Sequence, residues 1–188
     1  MRTALLGALV IASLWPAMEL AKESEGIDFQ DDFGHSLADA PLTTEERAQI
    51  YDVVDAGLHG VFANDQLERE AVLSARVDSI KLARRGPKQI FVRVSRRMCG
   101  ATGNCEMFVF VRQRGKLKMV FEENGYDLNV ERKTHHGFHD IVVPHNYSAW
   151  ESTYAAYRWN GREFERAGCH METLDRDDSG KPPVISGC

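Results

Sequence analysis

No apolar run in this chain is long enough to cross a bilayer. The longest, Thr3 to Trp15, covers about 13 residues, whereas a spanning helix needs roughly 20. Proline is scarce, six in 188 residues, which excludes collagen-like and proline-rich extended chains. Catalytic signatures are missing too. There is no His-Glu-x-x-His, no Gly-x-Ser-x-Gly, no Walker loop and no dinucleotide fingerprint. Neither a short Cys-x-x-Cys nor a suitable Cys/His pairing occurs, so a structural zinc site is not indicated. These absences turn the reading away from an enzyme, and no cofactor is implied. What remains is an ordinary globular composition, 43% hydrophobic and 27% charged, able to bury a core.

The amino terminus has the layout of a secretory signal. Arg2 precedes the apolar run, and small residues follow up to Ala21. Residues 1–21 are therefore expected to be a signal peptide, with no transmembrane segment left after its removal. No Cys follows the run, so a lipid-anchored cysteine is not expected. Export permits disulfides, and the four cysteines are even in number. Cys99 and Cys105 bracket the turn-forming Gly100-Ala101-Thr102-Gly103-Asn104 and are expected to pair. Cys169 and Cys188 are then left as the second pair. A periplasmic or secreted location follows from these expectations.

Residues 22–42 are acidic and poor in apolar anchors, which reads as a flexible linker. Thr43 and Glu46 have the spacing of a capping box, and Ile50, Val53, Val54, Gly57, Leu58 and Val61 recur at helical spacing, with Gly60 as terminator. The stretch from Leu67 to Leu82 starts with helical spacing and ends like a strand. From Gln89 the period becomes two, with turns at Arg114-Gly115, Asn124-Gly125, His136-Gly137 and Asn160-Gly161, and another near Pro144-His145-Asn146. The expected fold is α+β: an N-terminal amphipathic helix packed on an antiparallel meander of about six or seven strands. One domain spans 43–170, and 171–188 form a tail that a disulfide could tether.

Charge is divided along the chain. Residues 19–73 hold 14 acidic and 3 basic side chains, whereas residues 76–118 hold 12 basic and 2 acidic. The basic segment contributes Arg84, Arg85, Lys88, Arg93, Arg96, Arg97, Arg112, Arg114, Lys116 and Lys118. Alternate positions on neighbouring strands point the same way, so these cations are expected to gather in one patch. Such a patch either receives an anionic partner or faces the chain's own acidic helix. Nucleic acid is a poor partner for an exported chain of net charge −5. A second candidate is His135, His136, His139 and Asp140, three imidazoles and a carboxylate of the types that hold zinc or copper. On a tight turn such neighbours diverge, and the alternative is a simple hairpin turn. Asp175-Arg176-Asp177-Asp178-Ser179-Gly180 starts like a calcium loop, but Ser186 stands at its twelfth position and Pro182-Pro183 blocks the exiting helix. The aromatics Tyr147, Trp150, Tyr154, Tyr157, Trp159 and Phe164 read as the core of a closing hairpin, with the lining of a ligand groove as the alternative.

Gly103-Asn104-Cys105, His136-Gly137-Phe138-His139-Asp140-Ile141, Tyr157-Arg158-Trp159-Asn160-Gly161-Arg162-Glu163-Phe164 and Cys169 together resemble a loose group of exported bacterial proteins of unknown function. The last two runs also look like single fragments of propeller repeats. The resemblance implies a bacterial envelope setting and no catalytic residue. The functional expectation is a non-catalytic envelope binding module, with the partner another envelope protein or an anionic envelope component. In one form it is an inhibitor or immunity-type protein docking on an envelope-acting enzyme. A metal-binding protein or metal-dependent enzyme using His135–Asp140, and a structural envelope component, are the alternatives.

Overall fold

The computed structural model describes residues 25–26, 34–58, 64–175 and 182–188. The expected signal at 1–21 and the helix terminator Gly60 lie outside the described residues, as do residues 176–181 of the acidic tail and the Arg97 side chain.

The molecule is mostly β, with two short helices. Helix α1 (Thr44–Leu58) opens on a reciprocal cap. Glu46 N–H donates to Thr43 Oγ1 at 3.1 Å, while Thr43 N–H donates to Glu46 Oε2 at 3.1 Å. Helix α2 (Asp65–Leu73) starts at Asn64, whose side chain accepts from Leu67 N–H. The strands form two antiparallel sheets. One runs in the order β2 (His35–Ser36), β3 (Arg76–Ile80), β4 (Gln89–Arg93), β5 (Cys105–Gln113) and β6 (Lys116–Gly125). The other runs β1 (Glu25–Gly26), β7 (Asn129–His135), β8 (Phe138–Asn146), β9 (Glu151–Trp159), β10 (Phe164–Thr173) and β11 (Val184–Gly187).

Three layers result. Ile90, Val92, Phe108 and Phe110 face the helices and pack with Ile50, Val54, Leu58, Ala71 and Val72. Phe91, Met107 and Val109, one residue out of phase, face the second sheet and meet Ile141, Val143, Tyr157 and Trp159. The five-stranded sheet is thus covered on both sides, which is why β4 is buried along its whole length, from Gln89 through the apolar Ile90, Phe91 and Val92 to Arg93. The other sheet has one open face, and β9 alternates buried Ala155, Tyr157 and Trp159 with outward Tyr154, Ala156 and Arg158.

Two sheets replace the single meander expected from the turn signals, and the cause lies at Asn124-Gly125. This pair is not a hairpin turn. It closes β6, with Gly125 opposite Cys105 and neither residue at positive φ. A Cβ on Gly125 would stand 2.4 Å from Val143 Cγ1 and 2.8 Å from the Pro144 carbonyl oxygen. The glycine is there so that the chain can press against β8 as it crosses to the other sheet. By contrast, Arg114-Gly115 and His136-Gly137 both have two consecutive positive φ values, as a tight two-residue hairpin requires.

The acidic stretch before the first helix is likewise more structured than its composition suggests. Leu37 and Ala40 are buried against the helices, and Arg47 donates to the carbonyls of Leu37, Ala38 and Ala40. Within 34–42, two apolar anchors and one arginine tie down a segment read as linker. The carboxyl end is also incorporated. β11 lies along β10, and the register that sets Gly187 against His170 brings Cys188 to Cys169. The second disulfide joins Cys99 to Cys105. No helix among the described residues is long and apolar enough to cross a membrane.

Candidate functional site

One end of the layered structure gathers connections from both sheets. Register places the β3–β4 loop beside the β5–β6 hairpin, because Ile80 pairs with Gln89, Ile90 with Phe110, and Gln113 with Lys116. The β7–β8 hairpin is stitched to the same loop. Arg84 N–H donates to the Gly137 carbonyl at 2.9 Å, and His139 N–H to the Leu82 carbonyl at 2.8 Å. The β9–β10 hairpin joins from the side, where Lys118 Nζ donates to the Arg162 carbonyl at 2.9 Å.

Local chemistry turns the cations outward. Gln89 is buried and organises the β3–β4 loop: its Oε1 accepts from Leu82 and Ala83 N–H at 2.8 and 3.0 Å, and its Nε2 donates to the Pro87 carbonyl at 2.8 Å. These bonds hold Leu82 and Ala83 in the core and leave Arg84, Arg85 and Lys88 exposed. Arg114 and Lys116 project from the next hairpin, and an open cleft of about 490 Å³ is lined by Gln113, Arg114, Lys116, Leu117 and Lys118. His136 and Arg162 add exposed nitrogen donors from the remaining two hairpins.

Of the ten basic residues expected in one patch, Arg84, Arg85, Lys88, Arg112, Arg114, Lys116 and Lys118 share this basic pole. Arg112 is neutralised there. Its Nε lies 2.6 Å from Glu46 Oε1, and the guanidinium holds the Glu46 carboxyl below the usual range, helped by the bond from Thr43 N–H. The other three part company. Arg93 is only 3% exposed, because on β4 it shares the inward face of Phe91. Arg96 lies in the 3-10 turn Arg96–Met98, at the opposite end beside the Cys99–Cys105 bridge, with Arg97 next to it in sequence. Sequence reasoning did not place Arg162 or His136 at this pole, since only register across two sheets brings their hairpins there.

His135, His136, His139 and Asp140 do not converge. Among the described residues no group of three or more His, Cys, Asp or Glu side chains is placed to hold a metal ion. His135 Nδ1 lies 2.5 Å from Asp140 Oδ1, and Arg158 Nε lies 3.7 Å from Asp140 Oδ2. His139 Nδ1 instead donates to the Glu131 carbonyl at 2.8 Å, and His136 sits exposed at the tip with φ 46°. These groups lock a hairpin. Burial, reinforced by the Asp140 charge, raises the Glu131 carboxyl.

The aromatic residues divide as well. Tyr157, Trp159 and Phe164 are core, with Phe138 stacked on Trp159 at 4.3 Å between centroids. Tyr147 and Trp150 are exposed. Tyr157 donates to Glu123, and burial together with that carboxylate pushes its phenol well up; Tyr154, bonded with Tyr126, moves the same way for the same first reason. Both stay protonated and serve as fixed donors rather than bases. Comparison of the chain with protein-family models, curated proteins and solved structures finds no match.

Proposed function

We propose that this chain is an exported, non-catalytic binding module that docks on an anionic partner in the cell envelope through its basic pole. The carrying observation is the convergence of cations from separate connections. Arg84, Arg85, Lys88, Arg114 and Lys116 are exposed there, and among the described residues none of them is ion-paired to an acidic side chain of this molecule. Exposed like charges held together repel one another, which a folded chain tolerates where a partner supplies the opposite sign. The two disulfides fit an oxidising compartment.

The test is retention of purified protein by a sedimented envelope fraction. Parent protein is compared with Arg84→Glu/Arg85→Glu/Lys116→Glu and with Arg96→Glu at the opposite end. Loss of retention in the triple variant alone supports the reading. Equal retention of all three proteins removes the basic pole from it.

A further inference from the structure

We infer that the Cys169–Cys188 bond is a thiol–disulfide exchange site, opened by a dithiol reductant, and that its opening releases β11 from the sheet edge. The two disulfides of the chain stand in very different surroundings. Cys105 is buried, 2% exposed, at the start of β5 and opposite Gly125 of β6. A braced turn brings Cys99 to it. Gly103 N–H donates to the Gly100 carbonyl at 2.8 Å, and Gly100 N–H to the Asn104 carbonyl at 3.2 Å. Asn104 then ties this turn to β8, its Nδ2 donating to the Asn146 carbonyl at 2.9 Å and its Oδ1 accepting from Asn146 N–H at 3.0 Å. These bonds do not involve the sulfurs. They keep the two thiols of a reduced pair side by side, at high effective concentration, and so favour reclosure.

Cys169–Cys188 is framed differently. Cys188 is exposed, and the strand before it is exposed at all four positions, Val184 at 70% and Ile185 at 57%. β11 stands at the edge of the six-stranded sheet and lies along β10 for four residue pairs. Cys169, on the other side of the bond, packs against the core. A short edge strand that buries no side chain frays once its covalent tie is gone. Its thiol then moves away from Cys169, the effective concentration falls, and the bond is the more easily reduced of the two.

The chemistry balances with a dithiol as co-reactant. One thiolate of the dithiol attacks the exposed Cys188 sulfur. The S–S bond breaks, and its electron pair leaves on Cys169, which takes up a proton. The second thiolate attacks the mixed disulfide and releases Cys188, which is protonated in turn. The reductant ends as a disulfide, oxidised by two electrons, with both of its protons now on the chain's cysteines. β11 departs, and the backbone groups of β10 that it paired, at 170–173, open to solvent.

The test titrates the folded, disulfide-intact chain with dithiothreitol, alkylates the thiols that appear and maps them by mass spectrometry, with amide exchange followed on the same samples. Cys169–Cys188 should open at dithiothreitol concentrations about tenfold below those that open Cys99–Cys105, a gap of about 30 mV for a two-electron couple. Amides of 184–187 should lose protection in step with that opening, while those of β4 and β5 keep theirs. Asn104→Ala, which removes the brace, should narrow the gap by making Cys99–Cys105 easier to reduce, with Cys169–Cys188 unmoved. Opening of both bonds together in the parent, or of Cys99–Cys105 first, overturns the assignment of the exchange site. Protection at 184–187 that survives opening of Cys169–Cys188 overturns the release of β11.

Discussion

Gly125 is the residue on which the change of sheet turns. Its hydrogen atom occupies a gap between Val143 and Pro144 that no side chain fits. Replacing it with alanine forces β6 away from β8, and overpacking of that kind costs about 2–3 kcal/mol. Gly125→Ala should lower the urea midpoint accordingly, with an unchanged m-value showing that the same structure unfolds. Glu131 gives a residue-scale prediction of the opposite sign. Its folded pKa is raised, first by burial and then by the Asp140 charge, so its contribution to stability is complete below the unfolded value of 4.5 and is lost as pH rises through the folded value. Glu131→Gln keeps the neutral form at every pH. The variant should melt about 1–2 °C above the parent at neutral pH, with the gap closing below pH 4.5 in a thermal melt series. An unchanged gap across that range would show that ionisation of Glu131 is not its source. Asn124-Gly125 also shows where reading single residues fails, since the dipeptide that best advertises a hairpin serves as a small residue at a crossing. Its turn propensity is real, but contact with β8 overrides it.

Among the elements, the cap at Thr43 and Glu46 and the hairpins at Arg114-Gly115 and His136-Gly137 are legible because their bonds join near neighbours in the chain. The short β2 strand and its flanking segment are not. Leu37 and Ala40 become anchors only because α1, α2 and Arg47 are already there to receive them. β11 is similar. It is a four-residue edge strand whose Val184 and Ile185 are exposed, so burial does little to hold it. What holds it is β10 pairing and the Cys169–Cys188 bond, which closes a loop of sequence separation 19. A loop of that size is worth about 3 kcal/mol on the chain-entropy account. The double variant Cys169→Ser/Cys188→Ser should therefore exchange its 184–187 amides at rates near those of open chain while β4 and β5 stay protected. Slow exchange at 184–187 in that variant would mean that strand pairing alone is sufficient.

For the molecule as a whole, charge division along the chain becomes charge division in space. The acidic segment forms much of the helix layer, and part of the basic segment forms one pole of the layered structure. Arg112 realises the expectation that the patch faces the chain's own acidic helix, through Glu46. The remaining exposed cations are open to salt screening, with a Debye length of about 8 Å at physiological ionic strength. Retention by the envelope fraction should accordingly weaken severalfold as salt is raised through and beyond that range. Salt-independent retention would point to an apolar contact instead, such as exposed Trp150 and Tyr147.

The amino-acid sequence by itself determined local facts: the cap of α1, the tight hairpins at Arg114-Gly115 and His136-Gly137, and the closeness of Cys99 to Cys105. Each depends on residues a few positions apart, and side-chain chemistry settles such matters over that range. Tertiary structure alone decided that strands divide into two sheets, that Arg93 turns inward, that His135 and His139 point to different partners, and that separate connections bring their cations to one pole. Those outcomes depend on the register and packing of segments far apart in the chain, where a shift of one residue exchanges a buried face for an exposed one.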